Sequence, residues 1–520
     1  MKNRDLQATW TYHNETKHSY ESIRANRHYL DWDNQPIPFK IYAELEPTPL
    51  PQDLSSAGMT ALEAISSSSI PTNHHIVPSI KILAEILYLS AGITKRRSYP
   101  GGEILFRAAA CTGALYHIDL YLACSDLPGL SAGVYHFSPQ DFALRRLRDG
   151  DYREILVQAS GRELSLASAP VIIVCASTYW RNAWKYQSRA YRHCYWDSGT
   201  ILANLLAVAT ARRMPARIIL GFVDETVSRL LSLDPMREGA LALVALGNAP
   251  EKEGGNPPTV VPRAFDTVPL SKTEVDYPAI RAMHEASSLE QETEVVEWRS
   301  EALNNPSTWT GSPIATVPKL IPLQPLGDRA SQDTLEEVIR RRGSTRQFAR
   351  QSIGLREFST LLERATGPIA TDFVQAKEAF LNDIYLIVHA VDDLSPGAYV
   401  FDRDSHALEL LKQGDFRREA GYLGLGQEIP ADCSVNVFFL TNLNRVLERL
   451  GNRGYRAAQL EASITAGKLY LAAYAQRLGA SGLTFFDDDV TEFFSPHASG
   501  KSVMFLLALG RSAARTSGSV

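Results

Sequence analysis

SAGVYHFSPQDFALRRLRDGDYR (131–153) and SPGAYVFDRDSHALELLKQGDFR (395–417) are one segment written twice. Gly133 matches Gly397, Tyr135 matches Tyr399, Leu147 matches Leu411 and Arg153 matches Arg417, each pair 264 positions apart. The register continues downstream, where SRAYRHCYWDSGTILANLLAVATARRM (188–214) lies over NRGYRAAQLEASITAGKLYLAAYAQRL (452–478). GFVDETVSRLL (from 221) then matches TFFDDDVTEFF (from 484) at an offset of 263, so one residue has been lost. A nearly constant offset over such a span marks an internal duplication.

Working outward, the duplication divides the 520 residues into an N-terminal extension (1–60), a first domain (61–250), a linker (251–329) and a second domain (330–515). The linker is rich in Pro, Gly and charge, with a helix expected near 277–303. Each repeat reads as a helix (80–92; 355–367), a strand, a hairpin through Gly-x-Tyr-x-Phe, and an apolar strand (170–176; 434–440). A long helix (191–213; 455–477) and a final apolar strand (240–246; 503–509) follow. This is an α+β class with an antiparallel-rich mixed sheet and flanking helices. Small and apolar residues on several faces of the long helices suit burial of one against the other about a two-fold axis. The chain is thus expected to be its own dimer, monomeric otherwise.

Hydrophobic residues make up 45%, charged residues 21%, and the net charge is -5. No polybasic block points to nucleic acid. No apolar run is long enough for a membrane span and no secretory signal opens the chain, so a cytoplasmic protein is expected. The five cysteines form no CxxC pair, and His13 and His18 lack partners at metal spacing, so neither a disulfide framework nor a metal is expected.

Several motifs resemble one family. They are YHNETKHSYESIR (12–24), LYLSAGITKRR (87–97), FRAAACTGALYHIDLYL (106–122), WKYQSRAYRHCYWDSG (184–199), RRRGSTRQF (340–348) and GLTFFDDDVTEFFSPH (482–497). They are similar to the nitroreductase superfamily and, within it, to the SagB/ThcOx-type dehydrogenases that oxidise azolines to azoles in modified peptides. The resemblance implies a nitroreductase-like fold, and FMN held in clefts built from both partners of a dimer. It implies that Arg340, Arg341, Arg342, Ser344 and Arg346 bind the phosphate and ribityl chain. Guanidinium forks suit phosphate oxygens, and Gly343 lets backbone approach an anion. The small loop Ala110, Cys111, Thr112, Gly113, Ala114 and Leu115 is implied to lie against the ring, with Gly482, Leu483 and Thr484 at its N5 edge. Lys501, or alternatively Arg511, is a further phosphate candidate. The family shows Pro-Ser where Ala110 and Cys111 stand, which leaves backbone donors for the ring.

The two clefts are unequal. Through LEEVI (335–339) and LEAI (62–65), RRRGS (340–344) aligns with SSSS (66–69), so the first repeat lacks the arginines. CTGALYH (111–117) aligns with QAKEAFL (375–381), where Lys377 and Glu378 replace the loop. One complete cleft remains, and one FMN per chain is expected. Lys185 and Tyr186 resemble the Lys-Tyr pair that acts as general base in azole-forming enzymes; desolvation of a lysine would favour that role. Arg449 and Leu450 stand at the matching positions. Tyr191 and Arg192 recur in the second repeat and so point to the shared fold.

The function expected is FMN-dependent hydride transfer with a small or modified-peptide substrate, foremost azoline oxidation. NAD(P)H-dependent nitro or quinone reduction and a degenerate, non-catalytic flavin-binding protein are the alternatives.

Overall fold

The computed structural model describes residues 2–66, 75–99, 102–250, 258–303, 320–374 and 380–513. Two seven-stranded sheets share one topology. The first contains β1 (Pro47–Pro49), β2 (Ile118–Cys124), β3 (Gly133–Ser138), β4 (Ala143–Asp149), β5 (Val171–Thr178), β6 (Ala216–Ile219) and β7 (Glu238–Leu246), in the order β1-β4-β3-β2-β5-β7-β6. The second contains β8 (Leu320–Pro322), β9 (Asp383–Val388), β10 (Gly397–Asp402), β11 (Ala407–Gln413), β12 (Val435–Thr441), β13 (Gly479–Leu483) and β14 (Ser502–Gly510), in the order β8-β11-β10-β9-β12-β14-β13. Every pairing within the two sheets is antiparallel. The central strands are continuous apolar runs because both of their faces are covered.

Both sheets reach beyond the sequence boundaries. Pro47–Pro49 of the extension and Leu320–Pro322 of the linker are edge strands, paired with β4 and β11. Prolines made these stretches read as connections, yet an edge strand leaves one row of N–H groups unpaired and tolerates proline there.

The helices that matter below are α1 (Leu6–Glu15), α2 (Tyr179–Tyr186), α3 (Ala190–Ala211), α4 (Glu292–Leu303), α5 (Leu335–Arg341), α6 (Leu443–Leu450) and α7 (Arg453–Ala475). α3 and α7 are buried almost throughout and cross each other at the centre. A Cβ on Gly199 would collide with Ser463, and one on Gly467 with Ala203. Only glycine permits that approach, and each contact joins a residue to its own counterpart 264 positions away, as packing about a pseudo-two-fold axis requires.

Around this crossing the domains exchange buried ion pairs. Arg189 and Arg192 of the first repeat hold Asp487 of the second at 2.9 and 2.5 Å. Arg453 and Arg456 of the second hold Asp224 of the first, both at 2.6 Å. Burial raises the Asp487 carboxyl, but the two guanidiniums more than offset it and hold the pKa well below the ordinary range; Asp224 is lowered in the same way. Arg192 therefore serves the interface, as its recurrence suggests, and Tyr191 is buried beside it.

The extension clamps both domains. In α1, Thr9 donates to Asn452 at 2.6 Å, His13 meets Tyr455, and Tyr12 donates to the Ser188 carbonyl at 2.8 Å. No helix among the described residues is long and apolar enough to cross a membrane.

Candidate active site

A cleft of about 340 Å³ opens between the domains. The first repeat contributes Ala110–Gly113, Lys185 and Tyr186 from the end of α2, and one face of α3: His193, Trp196, Asp197 and Thr200. The second contributes Ser344, Arg346, Gln427, Tyr470 of α7, Gly482–Thr484 and Phe505. The loop of the first repeat thus lines the same cleft as Ser344 and Arg346 of the RRRGSTR segment of the second.

Asp197 organises the loop. Its carboxylate accepts from the Thr112 N–H at 2.9 Å, the Thr112 hydroxyl at 2.8 Å, the Cys111 thiol at 3.0 Å and His117 Nε2 at 2.9 Å. Burial, then the Asp197 charge, push the Cys111 pKa well above its usual value, so the thiol is a donor. Gly113 sits at φ 63°, and a Cβ there would lie 2.9 Å from the Tyr186 hydroxyl. Glycine is needed on both counts. Ala114 and Leu115 continue the turn behind the cleft rather than lining it.

Lys185 lies half-buried, its ammonium 5.5 Å from the Tyr186 ring centre. Burial, then the nearby Asp197, push the Tyr186 pKa far up, so the phenol keeps its proton at neutral pH. The Tyr186 ring meets His193 edge-on at 4.6 Å, and His193 lies 4.8 Å from Trp196. His193 Nδ1 bonds Asn182 Oδ1 at 2.7 Å, which makes Nδ1 the protonated nitrogen in this arrangement. Burial, with Arg189 next, holds the ring neutral. Its Nε2 is buried with no hydrogen-bond partner, as is Thr484 Oγ1 across the cleft. Both residues line the cleft, one from each domain, so a ligand held between them could supply the missing partners.

The arginines of RRRGSTR divide. Arg346 is exposed at the cleft with Ser344 beside it. Arg340 is exposed outside the cleft. Arg341 pairs with Asp333 at 2.5 Å and caps the Tyr474 carbonyl at 2.6 Å. Arg342 is buried and donates to the Ala108 and Arg107 carbonyls at 2.9 and 2.8 Å, tying α5 to the base of the loop. Lys501 is committed elsewhere: it sits on the second sheet, 2.6 Å from Asp383, and donates to Tyr385 at 2.8 Å. Its position is that of Glu238 in the first repeat, so it carries a sheet-packing charge instead of meeting a ligand. Arg511 pairs with Glu357 at 3.1 Å.

Where the counterpart cleft would open, the linker helix α4 is packed. Trp298 is buried and donates to the Leu450 carbonyl at 2.9 Å; Leu450 is the counterpart of Tyr186. The Leu220 and Gly221 N–H groups, counterparts of Leu483 and Thr484, donate to Asp372 at 2.8 and 2.9 Å. Arg299 closes over them, 3.4 Å from Asp372 and bonded to the Gly221 carbonyl. Arg449, opposite Lys185, meets the Ala302 carbonyl at 3.1 Å. Ser67–Ser69 and Gln375–Ala379, with Lys377 and Glu378, lie outside the described residues.

His193, Trp196, Asp197 and Thr200 escaped the sequence reading, although their spacing places them on one helix face. Tyr470 and Gln427 carried no such signal, since only the fold brings them to the cleft.

Residues 339–511 match the nitroreductase family model. The trifolitoxin-processing protein TfxB of Rhizobium leguminosarum bv. trifolii is 27% identical over 195 residues, which cover 35% of this chain and 52% of TfxB. The microcin B17-processing protein McbC of Escherichia coli is 25% identical over 158 residues, 29% of this chain and 54% of McbC. The chain thus spans about half the length of these two relatives. The crystal structure of a candidate nitroreductase from Anabaena variabilis superposes with a TM-score of 0.74 at 25% identity, covering 97% of this chain and 99% of that one. The second domain accordingly matches the nitroreductase family, and the chain carries the nitroreductase-like fold twice in one polypeptide.

Proposed function

We propose that the chain is an FMN-dependent oxidoreductase with one working cleft, acting on a small or peptide-derived substrate, foremost by oxidising an azoline to an azole. The observation that carries this reading is the inter-domain cleft, with Thr484 Oγ1 and His193 Nε2 buried and unpartnered on its walls. The names of TfxB and McbC, both processing proteins for peptide products, favour a peptide-derived substrate.

FMN, when bound there, supplies hydride acceptance or donation at its N5. The residues fit it. Arg346 and Ser344 would hold the phosphate end, since among the described residues no hydrogen bond or ion pair engages that guanidinium. Thr484 and the backbone of 482–484 would meet the polar edge of the ring, and the small side chains of Ala110–Gly113 leave a face free. Arg342 acts through the loop, as a positioning residue. Tyr186 keeps its phenolic proton and so donates a hydrogen bond to the substrate. His193 offers a neutral nitrogen lone pair that orients a substrate N–H or O–H. Lys185, half-exposed, exchanges the substrate's proton with water.

The test is an FMN titration followed by flavin fluorescence, on the wild type and on Arg346→Ala. Loss of a charge-assisted bond of about 1.5–3 kcal/mol weakens binding roughly 10- to 150-fold. Absence of FMN binding by the wild type would defeat the reading. Turnover with NADPH and a nitroarene but not with an azoline peptide would move it to the reductase alternative.

A further inference from the structure

A second cavity, of about 400 Å³, lies on the first domain away from the cleft. Two chain segments that the repeats do not share build its walls. Residues 37–43 of the extension pair with residues 266–270 of the linker: the Ile37 N–H donates to the Leu270 carbonyl at 2.8 Å, Ala43 to Asp266 at 2.9 Å and Val268 to Ile41 at 2.9 Å. The floor is the start of β7, where Glu238 and Lys40, both 9% exposed, form an ion pair at 2.6 Å. In the second repeat the matching Lys501 turns onto Asp383 within its own sheet.

The charges in the lining are unbalanced. Lys40, Arg229, Arg237 and Arg263 face Asp234 and Glu238. Lys40 is engaged by Glu238, and Arg237 by Glu274 outside the cavity. Asp234 and Glu238 already accept from the backbone of Met236 and Asp234. Among the described residues, Arg263 makes a single bond, from Nη1 to the Leu147 carbonyl, and the exposed Arg229 guanidinium makes none. Both therefore retain free donor capacity. Leu233, Phe265 and Leu270 supply an apolar wall. A concave site of this size with an apolar wall and a few convergent donors has the form of a small-molecule site.

We propose that this cavity binds a small organic carboxylate with an aromatic or aliphatic body, its anionic end between Arg229 and Arg263 and its body against Phe265. The site also stands on the buried polar chain behind the cleft. Thr178 lies within 3.2 Å of Glu238 and 2.7 Å of Arg181, and Arg181 donates to the Tyr116 carbonyl at 2.9 Å. The proposal does not depend on the FMN reading.

The test is calorimetric titration of the intact protein with 2-naphthoate and with its neutral isostere 2-naphthamide. The expected result is saturable naphthoate binding at one site per chain, with the amide at least tenfold weaker. The Arg229→Ala/Arg263→Ala variant, folded by circular dichroism, is expected to lose at least tenfold in naphthoate affinity, and Arg346→Ala none. Absence of saturable binding, equal binding of acid and amide, or a loss in Arg346→Ala with none in the double variant would overturn the proposal.

Discussion

Replacing Asp487 by alanine tests what holds the two domains together. The carboxylate is 2% exposed; it accepts from Arg189 and Arg192, at 2.9 and 2.5 Å, and from the His18 N–H at 2.8 Å. Its removal leaves two guanidiniums, 3% and 0% exposed, without a counter-charge. Breaking a buried pair in this way costs about 3–5 kcal/mol. Arg192 keeps bonds to the His13 carbonyl and the Thr16 hydroxyl, and Arg189 to the Thr16 carbonyl, which places the loss toward the lower end. Against a total stability of roughly 5–15 kcal/mol, that is a large fraction. Urea unfolding followed by tryptophan fluorescence reads it as a fall in midpoint at unchanged slope. Glu285→Ala, which removes a partner of the exposed Lys2 ammonium, is the control and is expected to change little. The pH dependence carries a definite sign. The folded-state pKa of Asp487 is depressed, so its stabilisation is fully present above the unfolded carboxylate value of about 4. It is lost as pH falls through the folded value, and the wild type and Asp487→Ala converge in stability under acid. A loss under 1 kcal/mol at neutral pH, or a difference between the two proteins that does not shrink in acid, would refute the reasoning.

Three further outcomes follow from the geometry. Gly113→Ala forces a side chain into φ 63° and against Tyr186, and is expected to weaken FMN binding at least tenfold in a fluorescence titration while the urea midpoint moves little. Lys501→Met leaves Asp383 unpaired in the second sheet, so it should lower the unfolding midpoint without changing FMN affinity; the reverse pattern would return Lys501 to the phosphate. Trp298→Ala empties a fully packed position and should cost about 3–5 kcal/mol, read by urea unfolding, without adding a second flavin equivalent.

Much of this architecture is legible in the chain because duplication prints it twice. The 264-residue offset locates equivalent strands and helices, and the differences between the repeats, arginines in one and a glycine loop in the other, point to the cleft that the proposed function uses. The roles of single charges are harder to read. Arg341, Arg342 and Arg346 look alike in sequence, yet an ion pair with Asp333 and two backbone carbonyls claim the first two and leave the third at the cleft. Lys501 looks like an anion contact until the fold sets Asp383 beside it. Tyr470 and Gln427 depend on contacts that no local pattern announces. The packing of α4 into the counterpart cleft is likewise tertiary: a helix near 277–303 is visible in the linker, but the destination of Trp298 is not.

The central claim is one complete cleft per chain. The most direct measurement reconstitutes the purified protein with excess FMN, removes the unbound cofactor, and quantifies flavin against polypeptide by absorbance after denaturation. The account predicts one FMN per chain, abolished by combining Arg346→Ala with Gly113→Ala. Two per chain would contradict it, because the space beside Trp298, Arg299 and Asp372 would then also have to admit a flavin.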